Sequence, residues 1–160
     1  MKTNAPQTTH SYLSFNIGSE IFAANVKNVI NILEMSKITK VPKSPDYLKG
    51  VINLRGSVLP VVDTRIKFGL AETSYTINTC ILVLEVVTGT ETLRLGAIVD
   101  SVQEVFELNN NEILPAPAIG TNYKTDVLIG ITRRDNNLIM ILDVDKVFAV
   151  EEILSLNEIS

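Results

Sequence analysis

The amino-acid sequence predicts an all-β protein built as two similar barrels that share a core. Three observations carry this expectation. The apolar segments are short, rich in Val and Ile, and interrupted by turn residues at intervals of roughly ten, the spacing of a small sandwich or barrel. Hairpin signals stand between neighbouring segments. Finally, Leu48–Phe68 recurs as Leu128–Phe148, without a gap, at a shift of eighty residues.

The chain opens with 1–11, a Thr-rich polar stretch expected to be a flexible tail. It has neither the apolar core nor the cleavage site of a secretory signal, so a cytoplasmic protein is expected. Strands follow at Tyr12–Ile17 and Glu20–Asn25 around Gly18-Ser19, and at Gly50–Leu54 and Val58–Val62 around Arg55-Gly56. Further strands are expected at Thr79–Val86 and Thr92–Val99 around Thr88-Gly89, at Val105–Leu108, and at Val127–Thr132 and Leu138–Leu142 around Asp135-Asn136-Asn137. In each of these turns a Gly or Asn supplies the positive φ that a tight hairpin needs. Asp63 and Asp143 each close a strand, and their carboxylates can cap the free N–H groups of a following turn, so a short helix is expected after each. Residues 151–160 would extend the second as an amphipathic helical tail.

The repeat is the strongest of these signals. It superposes Leu48 on Leu128, Gly50 on Gly130, Val61-Val62 on Ile141-Leu142, Asp63 on Asp143 and Phe68 on Phe148. At a shift of seventy-six, Val26, Val29 and Ile32 fall on Val102, Val105 and Leu108; Val41-Pro42 echoes Leu114-Pro115, at a shift of seventy-three. Two consecutive subdomains within one domain over 12–150 follow, about 12–75 and 76–150, with their boundary near Leu70–Ile77.

Composition narrows the function. With 46% hydrophobic and 20% charged residues the chain has ample material for a core. Its net charge of −4, with no basic cluster, argues against nucleic acid as a partner. Apolar runs such as Ile81–Leu84 and Leu138–Leu142 are far shorter than the roughly twenty residues needed to cross a bilayer, so no direct membrane insertion is expected. Cys80 is the one cysteine, flanked by an apolar run, and reads as a small core residue. No Gly-rich phosphate loop is present. The one histidine, His10, falls in the expected tail, where no rigid scaffold would hold it for catalysis or zinc. The acidic pairs Asp143/Asp145 and Glu151/Glu152 read as a cap and a solvated face. Asn109-Asn110-Asn111-Glu112 reads as a turn, since it lacks the alternating acidic ligands of a hard cation. No catalytic, cofactor or metal site is expected.

Leu48-Lys49-Gly50-Val51-Ile52-Asn53-Leu54-Arg55-Gly56-Ser57-Val58-Leu59-Pro60-Val61-Val62-Asp63-Thr64-Arg65 resembles the most recognisable stretch of the CheW family of chemotaxis coupling proteins. Val26-Lys27-Asn28-Val29, Val41-Pro42, Gly96-Ala97-Ile98-Val99-Asp100 with Val102, and Ile113-Leu114-Pro115-Ala116-Pro117 support the resemblance, in order, over residues 12 to 150. It implies two SH3-like five-stranded β-barrel subdomains and no enzymatic activity. It also implies two partners, the regulatory domain of a CheA-type histidine kinase and the cytoplasmic hairpin tip of a chemoreceptor, in receptor arrays at the membrane. Where the family usually carries an acidic residue just after the Val29 position, this chain has Asn31. Arg55, if its family counterpart pairs with that acid, has here at best an amide oxygen to meet.

Each motif residue also has a purely structural reading. Gly50 and Gly130 suit any duplicated β-fold in which a strand starts beside another backbone. Asp63 and Asp143 suit caps. Pro60 inside a strand places that strand at an edge or on its exposed side, where a partner can be recruited. Arg55 differs, because its counterpart at the eighty-residue shift is Asp135, so the scaffold does not itself require an arginine. Val29, Ile30 and Ile32 read equally as core or surface. The candidate partner-binding residues are therefore Val29, Asn31 and Ile32 together with Gly50, Asn53, Leu54, Arg55 and Gly56. Two alternatives stand beside the chemotaxis adaptor: an adaptor of the same kind in another chemosensory pathway, controlling pili or gene expression, and an unrelated peptide- or ligand-binding barrel.

Overall fold

Residues 8–71, 74–115 and 127–148 are described by the computed structural model of the chain. Among these residues ten strands form: β1 (Thr9–Ile17), β2 (Glu20–Asn25), β3 (Val29–Glu34), β4 (Leu48–Leu54), β5 (Ser57–Asp63), β6 (Cys80–Thr88), β7 (Glu91–Val99), β8 (Ser101–Asn109), β9 (Leu128–Arg134) and β10 (Asn137–Leu142). One-turn helices α1 (Thr64–Lys67) and α2 (Val144–Val147) follow β5 and β10. The strands make two five-stranded sheets, ordered β8-β1-β2-β10-β9 and β3-β6-β7-β5-β4. This bears out the all-β expectation.

The sheets do not follow the sequence halves. Residues 29–99 supply one sheet whole, whereas the other joins β1 and β2 from the start of the chain to β8, β9 and β10. The expected consecutive subdomains with a boundary at Leu70–Ile77 are thus corrected. The chain crosses between sheets at Val26–Asn28 and at Asp100. The reason lies in strand pairing. In the sheet supplied by residues 29–99, β5 takes β7 as its parallel neighbour. The equivalent β10 instead finds its parallel neighbour in β2, through Ile139↔Ile21, Met140↔Phe22 and Ile141↔Ala23. The hairpin that completes the second repeat therefore comes from before the first.

The repeat itself holds in detail. Thr39 and Val51 exchange both backbone hydrogen bonds, at 2.9 and 2.8 Å, and Leu114 and Ile131 do the same at 2.8 and 2.8 Å. The Asp63 N–H donates to the Tyr47 carbonyl at 2.8 Å, and the Asp143 N–H to that of Val127 at 2.8 Å. Both aspartates cap as expected: the Asp63 side chain accepts from the Arg65 N–H, and that of Asp143 from the Lys146 N–H.

Side-chain alternation builds three cores. Along β6, Ile81 and Val83 point into one cluster with Ile52, Leu59, Val61 and Ile98, while Leu82, Leu84 and Val86 point into another. That second, central cluster is shared by both sheets and includes Leu13, Phe15, Ile17, Phe22, Leu95, Val99, Leu142 and Phe148. Tyr12, Ala23, Phe106, Leu108, Ile139 and Ile141 form the third, inside the other sheet. The inner strands are thus buried on both faces, which is why Ile81–Leu84 is apolar without a break. Cys80 packs half-buried against the central cluster.

Three further expectations change. Thr9, His10 and Ser11 belong to β1 and pair with Asn109, Leu108 and Glu107. His10 therefore stands on a strand, its ring edge-on to Tyr12 at 6.5 Å, because β8 offers an edge to extend. No strand is expected from the sequence at Val29–Glu34, yet β3 forms there as an edge strand. A bulge between Val29 and Asn31 shifts its register against β6, while burial still alternates, with the apolar Ile30 and Ile32 exposed and the polar Asn31 half-buried. Pro60 lies in an inner strand, not at an edge, but the pairing of β5 with β7 begins only at Val61, so the missing N–H falls before that ladder. The expected helical tail at 151–160 lies outside the described residues.

Candidate partner-binding surface

The β4–β5 hairpin is the feature that the sequence singled out. Leu54 and Ser57 close it, leaving Arg55 and Gly56 as its two-residue loop, with φ of 52° and 87°. Positive φ at both loop positions matches the right-handed twist of the flanking strands. The second repeat makes the same turn with Asp135 and Asn136, at φ of 49° and 67°. An arginine is among the poorer residues for such a position, since a Cβ there costs about 1–2 kcal/mol, and the equivalent site accepts Asp. The scaffold therefore does not select Arg55.

The hairpin holds its tip firmly. The Gly56 N–H donates to Asn53 Oδ1 at 3.0 Å, and Leu54 packs half-buried against the cluster around Ile52 and Val83. Arg55 and Asn53 stay exposed. Arg55 forms no ion pair or hydrogen bond among the described residues, so its guanidinium is presented to solvent with all its donors open. Val58, opposite Asn53 in the register, adds an apolar side chain that is 62% exposed. Sequence reasoning missed Val58, because β5 departs from alternation just where the hairpin leaves the barrel.

The second group lies on β3. Ile32 is exposed and so is its neighbour Ile30, whereas Val29 packs half-buried against the central cluster. Asn31 is half-buried at the bulge, and its Oδ1 accepts the N–H of Ile32 at 2.8 Å. The amide thus bonds its own backbone and does not serve Arg55. Leu33 of β3 and Leu54 of β4 contact the same cluster, so the sheet curls until its two outer strands meet one core. Gly50 is buried, and a Cβ there would fall on the Thr39 carbonyl oxygen. Its place is beneath the connector from β3 to β4, residues 35–47, not on a surface.

The chain matches the family model described as the CheW-like domain over residues 11–152. It is 34% identical over 146 residues to a chemotaxis protein CheW of Bacillus subtilis, covering 91% of this chain and 90% of that one. A chemotaxis protein CheW of Klebsiella aerogenes is 30% identical over 149 residues, covering 93% and 87%. Among solved structures, the crystal structure of the scaffolding protein TtCheW from Thermoanaerobacter tengcongensis superposes with a TM-score of 0.79 at 28% identity, covering 91% of this chain and 96% of that one.

Proposed function

The chain belongs to the CheW family, and from that premise we propose that it is a non-catalytic chemotaxis adaptor coupling chemoreceptors to a CheA-type histidine kinase. The observation that carries this reading is the family match over residues 11–152. That match spans both barrels and the exposed Arg55 hairpin. An adaptor needs no chemistry of its own. By binding receptor and kinase at once it raises the effective concentration of each for the other, and coupling follows from that alone. Arg55, Asn53 and Val58 on one hairpin, with Ile30 and Ile32 on β3, offer a guanidinium and apolar side chains for such contacts. The partners that fit are the regulatory domain of the kinase and the helical hairpin tip of the receptor. The protein would act in the cytoplasm at receptor arrays, and among the described residues no helix is long and apolar enough to cross a membrane.

Reconstitution tests the proposal. Kinase, a receptor cytoplasmic fragment and this protein together should raise the rate of phosphoryl transfer from ATP well above that of any two components. A chain that binds neither component, or that turns over a substrate alone, would overturn it.

A further inference from the structure

The hairpins β1–β2 and β6–β7 take equivalent places in the duplicated fold. Ala23 of β2 lies beside Ile141 and Gly96 of β7 beside Val61, the same point of the repeat, and their antiparallel partners are Ser14 and Val83. Counting on from these, the carbonyl of Asn16 matches that of Glu85, and the N–H of Gly18 matches that of Val87. Both halves of the fold satisfy this pair of backbone groups, by different means. The Asn16 carbonyl accepts from the Asp100 N–H at 2.9 Å, and the Gly18 N–H donates to Asp100 Oδ2 at 2.6 Å. Arg65 of α1 grips both oxygens of that carboxylate, at 2.8 and 2.6 Å. In the other half the Glu85 carbonyl accepts from Asn28 Nδ2 at 2.9 Å, and the Val87 N–H donates to Oδ1 of Asp145, on α2, at 2.8 Å. Asp145 is the counterpart of Arg65 at the eighty-residue shift. Asn28 and Asp100 stand at the two points where the chain passes between the sheets.

We infer that these contacts form a reciprocal clasp that fixes the angle between the two barrels. α1 continues the sheet supplied by residues 29–99, yet it acts through Asp100 on β1–β2; α2 continues the other sheet, yet it acts on β6. Each barrel's helix thus holds the other barrel's hairpin. The cluster between the barrels is apolar, and apolar contact is non-directional, so it keeps them together without selecting one angle. Hydrogen bonds are directional and supply that selection. The two halves share the contact and not the residues, a carboxylate backed by a guanidinium in one and a helix carboxylate with an amide in the other. The contact itself is therefore the feature that the arrangement requires. Through it the Arg55 hairpin on one barrel is presented at a set angle to the other.

Pulsed electron resonance on the protein alone tests this, so the result is independent of the proposed function. Nitroxides are placed at two exposed positions, one on each barrel, through Glu34→Cys and Glu107→Cys in a Cys80→Ala background. The parent should give one narrow distance. Asp100→Ala/Asp145→Ala should shift that distance or broaden it about twofold, with each single variant in between. Asp145→Asn keeps an oxygen for the Val87 N–H and should stay close to the parent. Ile52→Val trims the cluster inside one barrel, lowering stability without touching the clasp, and should leave the distance unchanged. Where the double variant fails to fold, Asp145→Ala against Asp145→Asn makes the same comparison. Clasp variants as narrow and as centred as the parent, or equal broadening in Ile52→Val, would overturn the inference.

Discussion

Gly50 and Gly130 occupy one structural position twice. Each lies beneath a connector, with the Thr39 carbonyl over the first and the Leu114 carbonyl over the second, and beside each the next residue exchanges two backbone hydrogen bonds with that connector. The connector crosses the outer strand too closely for any side chain between them. A crossing strand needs bare backbone at the point of contact, which is a demand of packing and not of partner binding.

Gly50→Ala and Gly130→Ala should therefore each lower stability by about 2–4 kcal/mol, measured by urea unfolding. Gly50→Ala should be the worse of the two, because Gly50 also has φ of 147°, a backbone conformation that side chains rarely adopt. Gly56 has φ of 87° and open space around it, so Gly56→Ala should cost only about 1–2 kcal/mol. Equal costs at all three sites would contradict the close-approach argument.

Arg55→Ala should leave stability within about 0.5 kcal/mol of the parent, since Ala bears the same positive-φ strain and no contact is lost. Arg55→Gly should raise stability by up to about 1 kcal/mol by relieving that strain. Binding to the kinase regulatory domain or to the receptor fragment should fall by about ten- to a hundred-fold in Arg55→Ala, and further in Arg55→Glu. Asp135→Ala, in the equivalent turn, is the control and should leave binding unchanged. Calorimetric melting and titration on the same four samples decide whether Arg55 serves recognition or folding.

Asp100 sits where the chain passes from β7 to β8 and gathers donors from both barrels. Arg65 Nε donates to its Oδ1 at 2.8 Å and Arg65 Nη2 to its Oδ2 at 2.6 Å, while the Gly18 N–H donates to the same Oδ2 at 2.6 Å. The pair is largely sheltered, with side chains 19% and 26% exposed. Asp100→Ala should cost about 1–2 kcal/mol, because it leaves the partly sheltered Arg65 guanidinium with the Ala71 carbonyl as its acceptor, while the exposed Gly18 N–H turns to water. Arg65→Lys should lose part of the stability that Arg65→Ala loses, as an ammonium cannot match the two-pronged contact. Urea midpoints of the two variants, compared with Arg65→Ala, measure this.

Burial raises the pKa of the Cys80 thiol above its ordinary value of 9.0, and burial likewise raises that of the Tyr12 hydroxyl. Both groups are held neutral in the fold more strongly than in the unfolded chain. Their contribution is therefore intact below the unfolded pKa values and is lost as pH rises through the folded ones. Stability should be flat from neutral pH to about 9 in respect of these groups and fall above it. Cys80→Ala should make the alkaline fall shallower, as read from urea midpoints between pH 8 and about 10.5. A slope unchanged by the substitution would place the alkaline sensitivity elsewhere.

Much of this architecture was legible because it is written in local chemistry. Gly18-Ser19, Arg55-Gly56 and Asp135-Asn136 mark turns through backbone conformation alone, and all three turns form where expected. Asp63 and Asp143 announce caps for the same reason. β3 was not legible, because its exposed positions include the apolar Ile30 and Ile32 and its half-buried ones the polar Asn31, so hydrophobicity does not follow burial along this edge strand. His10 was misplaced with the tail, since nothing in Thr9–Ser11 reveals that β8 continues far enough to pair with it.

By itself the sequence determined the strands of the repeat, the paired glycines and aspartates, the family, and the hairpin on which Arg55 stands, since each rests on residues close together in the chain or on direct comparison of one stretch with another. Only the tertiary structure decided which strands share a sheet. The partner of β10 is β2, more than a hundred residues away, and no local signal distinguishes it from a hairpin placed nearer in sequence. The same holds for exposure. Val29 and Ile32 are equally apolar in sequence, yet one packs half-buried against the central core and the other is exposed, because burial along an edge strand alternates and which phase meets the core is set by the elements packed around it.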